Sequence, residues 1–207
     1  MTAIHGVPPG RPGRVWLRHR RAVAERGSDL LETKLRILAA ERDRAALQAE
    51  RTAREWALAA QDAERWLLRA ALHSGRRGLR LAVDREPAQV HLTWATTMGV
   101  TYPDRTDLLV PEADPDAATP DSAALVQARA ATRRALQVAA EHAAATAALE
   151  ALDAEVRTTR RRLRALRERW LPRLDAAQAA LVEALEQQER EEGVRLRWAA
   201  SRQGGWR

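Results

Sequence analysis

Residues 31–70 read LETKLRILAAERDRAALQAERTAREWALAAQDAERWLLRA, with neither proline nor glycine. Steps alternating between three and four link Leu31, Leu35, Leu38, Arg42, Ala45, Ala49, Thr52, Trp56, Ala59, Ala63, Trp66 and Ala70. All of these except Arg42 and Thr52 are apolar. That spacing lays one apolar seam along a helix, which the two-residue period of a strand does not produce. Outward from this stretch, Val15 to Leu72 contains no proline and one glycine, Gly27. A helix over that span is roughly 85 Å long at 1.5 Å per residue.

The second half of the chain repeats the pattern at Leu149, Leu152, Val156, Leu163, Leu166, Trp170, Leu174, Ala177, Leu181 and Leu185. Asp121 or Ser122 is suited to cap the start of this helix, which is expected to run to about Ser201. Pro172 removes one backbone hydrogen bond and crowds the preceding turn, so a bend is expected near Glu168–Pro172.

Between the helices, Ser74-Gly75 and Gly78 stop the first one. Leu79 to Val83 and Val90 to Val100 contain β-formers, with Asp84-Arg85-Glu86-Pro87 as a turn between them, which reads as a β-hairpin or small sheet. Residues 103–122 are rich in Pro and Asp and read as a loop.

The expected organisation is an extended segment over 1–13, a helix over 14–73, a β-hairpin and loop region over 74–122, a helix over 123–201 and a tail over 202–207. The fold class is mainly α: a long antiparallel two-helix coiled coil with a small β-hairpin-containing middle region, and both termini at one end. One seam is rich in Ala and the other in Leu. Small against large favours pairing within one chain over pairing between copies.

Composition agrees, since the chain has no Phe, one Tyr, and abundant Ala, Leu, Arg and Glu, the profile of long helices. With no cysteine, disulfides and thiolate metal sites are excluded. No apolar run of signal-peptide or membrane-spanning length occurs, so a chain outside the bilayer is expected. The net charge of +7 is unevenly placed: residues 1–26 hold six Arg and one Glu, residues 193–207 four Arg and no acid, and residues 84–121 eight acids and two Arg. If the ends meet, one tip is basic, carrying Arg14, Arg18, Arg20, Arg21, Arg195 and Arg197, and the other is acidic.

Catalytic chemistry finds no footing. Lys34 is followed by Leu35 on a helix, so there is no Gly-rich phosphate loop ending in Lys-Ser or Lys-Thr. His5, His19, His73, His91 and His142 are scattered without metal spacing, and no Ser–His–acid grouping can be argued. No catalytic residue, metal or cofactor is expected. Arg157 to Arg169 contains seven Arg and one Glu. This band suits an acidic partner, a solvated face opposite Glu25, Asp29 and Glu32, or a nucleic-acid patch. The third option lacks the interleaved aromatics that stack bases. Trp56, Trp66 and Trp170 are expected to fill the seam with Leu31, Leu35, Leu38, Leu163, Leu166, Leu174 and Leu181. Trp16 and Trp198 are candidates for an apolar collar at the basic tip.

The stretch Arg26-Gly27-Ser28-Asp29-Leu30-Leu31-Glu32-Thr33-Lys34 resembles the arginine-glycine-x-x-leucine-leucine-x-x-lysine stretch of the D subunits of vacuolar/archaeal-type ATPases and ATP synthases. Lys34 is the only lysine of the chain. Met98-Gly99-Val100 is similar to a tripeptide at the end of that family's hairpin region. Thr159 to Leu166, Pro172-Arg173-Leu174 and Glu189-Arg190-Glu191-Glu192 are similar to its C-terminal run, with Arg164 where the family usually has asparagine. Order and spacing agree from about residue 11 to 200.

The resemblance implies a non-catalytic central rotor shaft. Its partners would be a hexamer of catalytic and regulatory nucleotide-binding subunits (A and B type), the small F subunit of the stalk, and a socket subunit on the membrane rotor ring. It implies a place at the cytoplasmic face of the membrane, without insertion into the bilayer and without nucleic acid. The alternative from another class is a free-standing basic coiled-coil scaffold or nucleic-acid-associated protein, which would self-associate or bind DNA with steep salt dependence.

Overall fold

The computed structural model describes residues 4, 6–82, 87–110 and 122–204. Helix α1 spans Arg11–Leu81, strands β1 and β2 span Gln89–Thr97 and Val100–Leu109, helix α2 spans Ala123–Ala165, a π-helical turn covers Leu166–Trp170, and helix α3 spans Leu171–Gly204. The chain is mainly α, with one two-stranded antiparallel hairpin in its middle. It divides into two compact units, Met1–Leu35 with Thr158–Arg207, and Arg36–Arg157.

In the first unit α1 starts at Arg11, earlier than residue 14. Pro12 lies in the first turn, where the missing N–H has no intrahelical partner to lose. Gly13 permits a close approach, because a Cβ there would collide with the Pro8 carbonyl oxygen and sit 3.1 Å from Leu181. The core consists of Leu17, Ala24 and Leu174, joined by Ile4, Val7, Trp16, Leu166, Leu171, Ala177 and Leu181. The pairing is antiparallel: Arg11 meets Glu189, Arg21 meets Asp175, and Glu32 meets Arg167.

In the second unit the partners of α1 also descend as α1 ascends. Arg42 faces Asp153, Thr52 and Trp56 face His142, Ala70 packs with Leu125 and Ala128, and Ser74 meets Ser122. The buried line on α1 here is Leu38, Ala49, Thr52, Ala59, Ala63 and Ala70. On α2 it includes Leu125, Ala128, Ala144, Ala148, Leu152 and Val156. Small residues from both helices line this seam. Thr52 is tolerated inside because its hydroxyl bonds the Gln48 carbonyl at 2.9 Å.

The middle region departs from expectation. Gly75 leaves helical geometry (φ 62°), as Ser74-Gly75 suggested, but the following residues resume helix to Leu81, so Leu79 to Leu81 are not strand. The hairpin turns at Met98-Gly99, with Thr97 opposite Val100. The expected turn residues 84–86 lie outside the described residues, and Pro87 precedes β1. Residues 103–109, read as loop, form most of β2. Asp104 is the extra residue at the register shift between Thr93 and Trp94, a bulge that lets a Pro- and Asp-bearing segment stay paired. The rest of the acidic loop, 111–121, lies outside the described residues. Helix α2 starts after Ser122, whose Oγ accepts the Leu125 N–H at 3.2 Å as an N-cap.

Trp56 and Trp170 do not fill the seam. Trp56 is 43% exposed and stacks on His142 at 5.6 Å between centroids. Trp170 is 38% exposed, because the π turn adds a residue and brings Leu171 to the core in its place. Trp66 is half-buried against the Ala70 cluster with Arg69 over its ring. Leu38, Leu163 and Leu174 are buried, and Leu31, Leu35, Leu166 and Leu181 half-buried.

Candidate functional site

The first unit gathers the charged surface. Arg14, Arg18 and Arg20 are exposed on α1 and Arg195 and Arg197 on α3, while Arg21 is half-buried. Antiparallel pairing sets the acids of α3 beside the arginines of α1. A groove of about 660 Å³ is lined by Arg18, Arg21, Glu25, Asp175, Glu183 and Glu186 among others. Arg21 Nε donates to Asp175 Oδ1 at 2.6 Å and its Nη1 lies 2.8 Å from Glu25. The hydrogen bond to Asp175, the charge of that carboxylate and the charge of Glu25 raise the Arg21 pKa above its ordinary value. Arg11 and Arg21 therefore face acids across the helix pair, a mixed surface that composition by segment did not reveal.

Beyond the Arg11–Glu189 ion pair, α3 continues from Arg190 to Gly204. Nearly every described side chain there is exposed, including Val194, Leu196 and Trp198. Arg190 and Arg197 each bond a carbonyl one turn back, and Arg202 covers the Trp198 ring at 4.2 Å. Trp16 instead packs on the Leu17 core with Arg20 over its ring. The two tryptophans thus have separate cation partners and separate surroundings, unlike the expected collar.

The residues that carried the family resemblance take distinct places. Arg26 and Leu30 are exposed, Gly27, Leu31 and Lys34 are half-buried, and Ser28 is buried. Arg167, from the π turn, donates from Nε to Ser28 Oγ at 2.9 Å and reaches Glu32 Oε2 at 2.5 Å. Pro172 follows that turn directly. Within the arginine band, Arg157 pairs with Asp153, Arg164 lies 3.8 Å from Glu168, and Arg160, Arg161, Arg162 and Arg169 are exposed.

Met98-Gly99 forms the hairpin tip rather than its end. Both residues have positive φ, 51° and 81°, the geometry of the tight turn that matches strand twist. Val90, Leu92 and Trp94 alternate along β1 and are exposed, so the hairpin presents an apolar row. A second row went unnoticed in the sequence. Leu47, Leu58, Leu68 and Leu72 are exposed on the face of α1 turned away from the alanine seam. Their own spacing was the available signal, overshadowed by the stronger heptad beside it.

Among the described residues no group of three or more His, Asp or Glu is placed to hold a metal ion. No helix among them is long and apolar enough to cross a membrane. A comparison with curated proteins gives no match. The sequence pattern of the ATP synthase D-subunit family matches residues 15–201, covering nearly all of α1, the hairpin, α2 and nearly all of α3. The chain belongs to this family of ATP synthase D subunits, stalk components of rotary ATPases of the vacuolar/archaeal type.

Proposed function

We propose that the chain is the non-catalytic central rotor shaft of such an ATPase. It transmits torque between a nucleotide-binding hexamer and an ion-translocating membrane ring, in ATP synthesis or in ATP-driven proton or sodium transport. The observation that carries this reading is the family match along nearly the whole chain, on two helices that pair antiparallel in each unit.

The family resemblance supplies the partners, and the exposed surfaces support the following assignment of them. The first unit, with exposed Arg14, Arg18, Arg20, Arg195 and Arg197 and the extension of α3, faces the hexamer of A- and B-type subunits. Three catalytic sites acting in turn would push on this end. Exposed charges attract over a Debye length without fixing one angle, because each exposed ion pair is weak. The second unit, with its hairpin row and the Leu47–Leu72 row, takes the small F subunit of the stalk and the socket subunit on the rotor ring. Hydrophobic contact there suits a joint that must not slip. The machine sits at the cytoplasmic face of the membrane, and this chain neither enters the bilayer nor holds a cofactor.

Affinity purification of the tagged chain from native membranes tests the proposal. A ring of ATP-binding subunits together with one small stalk partner is the expected recovery. Recovery of nucleic acid alone, or of a homo-oligomer, overturns it in favour of a basic scaffold.

A further inference from the structure

The hairpin turn fixes which backbone groups of β1 are left over. Met98 and Gly99, both with positive φ, join Thr97 directly to Val100. In a hairpin of this kind the residues flanking the turn exchange both of their backbone hydrogen bonds, and the pairing alternates from there. Thr97, Ala95, Thr93, His91 and Gln89 therefore turn their N–H and C=O groups to β2. Thr96, Trp94, Leu92 and Val90 turn theirs the other way. Pro103 agrees with this phase, since it stands opposite Trp94, where its nitrogen faces away from β1 and no ladder bond is lost.

Among the described residues the sheet has these two strands alone, so the outer edge of β1 meets no third strand. The backbone groups on that edge belong to the same residues whose side chains form the exposed row Val90, Leu92 and Trp94. Exposed strand edges are ordinarily guarded by charge, proline or a bulge. Strand β2 has all three: Arg105 and Asp107, Pro103, and the extra residue Asp104. It also lies against the helices of its own unit, with Pro103 buried and a groove shared with Gln48 of α1 and Ala144 of α2. Strand β1, QVHLTWATT, has no Asp, Glu, Lys, Arg or Pro and no extra residue.

A second copy of β1 fits this edge. Antiparallel pairing about a two-fold axis at Thr93 sets Leu92 against Trp94 of the other copy, Val90 against Thr96, His91 against Ala95 and Gln89 against Thr97. The strand then pairs along its whole length. All four outward-facing residues enter hydrogen-bonded pairs, and Leu92 and Trp94 oppose each other twice. A two-fold makes the strand its own partner, and because β1 lacks acidic and basic residues no like charges meet across the axis.

We propose that β1 is a self-pairing edge, through which two copies of the free chain join into a four-stranded sheet in the order β2-β1-β1-β2. The dimer is a state of the chain before assembly, because the proposed shaft commits the same row to another subunit, which would displace the second copy. The inference needs only the hairpin and stands whether or not the shaft reading holds.

Sedimentation of the purified full chain is expected to shift from monomer to dimer as concentration rises. Trp94→Lys guards the edge at an exposed position, so it should keep the chain monomeric over the same range with the melting midpoint nearly unchanged. Leu58→Lys, on the exposed row of α1, should leave the dimer intact. The chain has no cysteine, so a single cysteine reads the register. Thr93 faces its own copy in a non-hydrogen-bonded pair, with Cα atoms about 4.5 Å apart, within disulfide range. Oxidation is expected to link Thr93→Cys chains several-fold faster than Thr97→Cys chains, whose cysteines lie at opposite ends of the paired strands. A chain that stays monomeric, a dimer that survives Trp94→Lys or is lost with Leu58→Lys, or equal cross-linking from the two positions overturns the proposal.

Discussion

Thr52 on α1 and His142 on α2 meet across the seam, with Oγ1 and Nδ1 3.2 Å apart. The threonine hydroxyl already donates to the Gln48 carbonyl, so the imidazole N–H is the donor, and the ring is steadied by stacking on Trp56. Thr52→Val keeps the shape but strands the ring nitrogen. It is expected to cost about 1–3 kcal/mol, read as a lower midpoint in chemical denaturation. Thr52→Ser, which keeps the acceptor, should cost less.

Leu17 and Leu174 form the core of the first unit, each 1% exposed. Replacing either with alanine should cost about 2–5 kcal/mol. Leu38, also fully buried, tolerates a charge still less: Leu38→Asp is expected to abolish cooperative melting in circular dichroism. A variant with unchanged melting would place Leu38 outside the seam.

Met98 holds a left-handed backbone conformation (φ 51°) at the hairpin tip, which costs a residue with a Cβ about 1–2 kcal/mol. Met98→Asn or Met98→Gly should therefore stabilise the hairpin by up to that amount, seen as slower hydrogen exchange in β1 and β2. If the tip is a partner contact, the same variants should weaken association with the small stalk partner while the isolated chain becomes more stable.

Charge reversal at Arg18 and Arg20 tests the proposed hexamer-facing surface. Both are exposed, so Arg18→Glu with Arg20→Glu should leave the melting midpoint nearly unchanged. Coupling between ATP hydrolysis and ion transport in the assembled complex is expected to fall. Arg21 is best kept out of this pair, because it holds Asp175 across the helices and its substitution would mix the two effects. The pKa of Arg21 is raised in the folded chain, so its contribution is complete below the ordinary arginine pKa and is lost only in more alkaline solution than proteins meet. Salt, not neutral-range pH, is the variable that weakens it.

The helix–hairpin–helix layout was legible in the heptads, and strand β1 in its β-formers, because both signals repeat over many residues; the turn at Met98-Gly99 and the partner strand, read as loop, were not. The boundaries that moved depend on single local contacts. Pro12 is compatible with a first helical turn and so did not delay α1. The stretch Pro103-Asp104-Arg105 looks like a loop by composition, yet a bulge keeps it paired. Trp56 and Trp170 occupy seam positions by counting, but His142 offers one a flat surface outside and the π turn carries the other away. Counting at 3.6 residues per turn has no way to register an inserted residue. The rows at Leu47–Leu72 and Val90–Trp94 are exposed, and one sequence shows only that they are apolar.

The central claim is that this chain turns within a ring of nucleotide-binding subunits. A complex assembled from cysteine-free subunits, with Trp198→Cys in this chain and one matching cysteine on the hexamer, tests it by cross-linking. Oxidation is expected to stop multiple-turnover ATP hydrolysis, and reduction to restore it. Undiminished continuous hydrolysis with the cross-link complete would contradict the account.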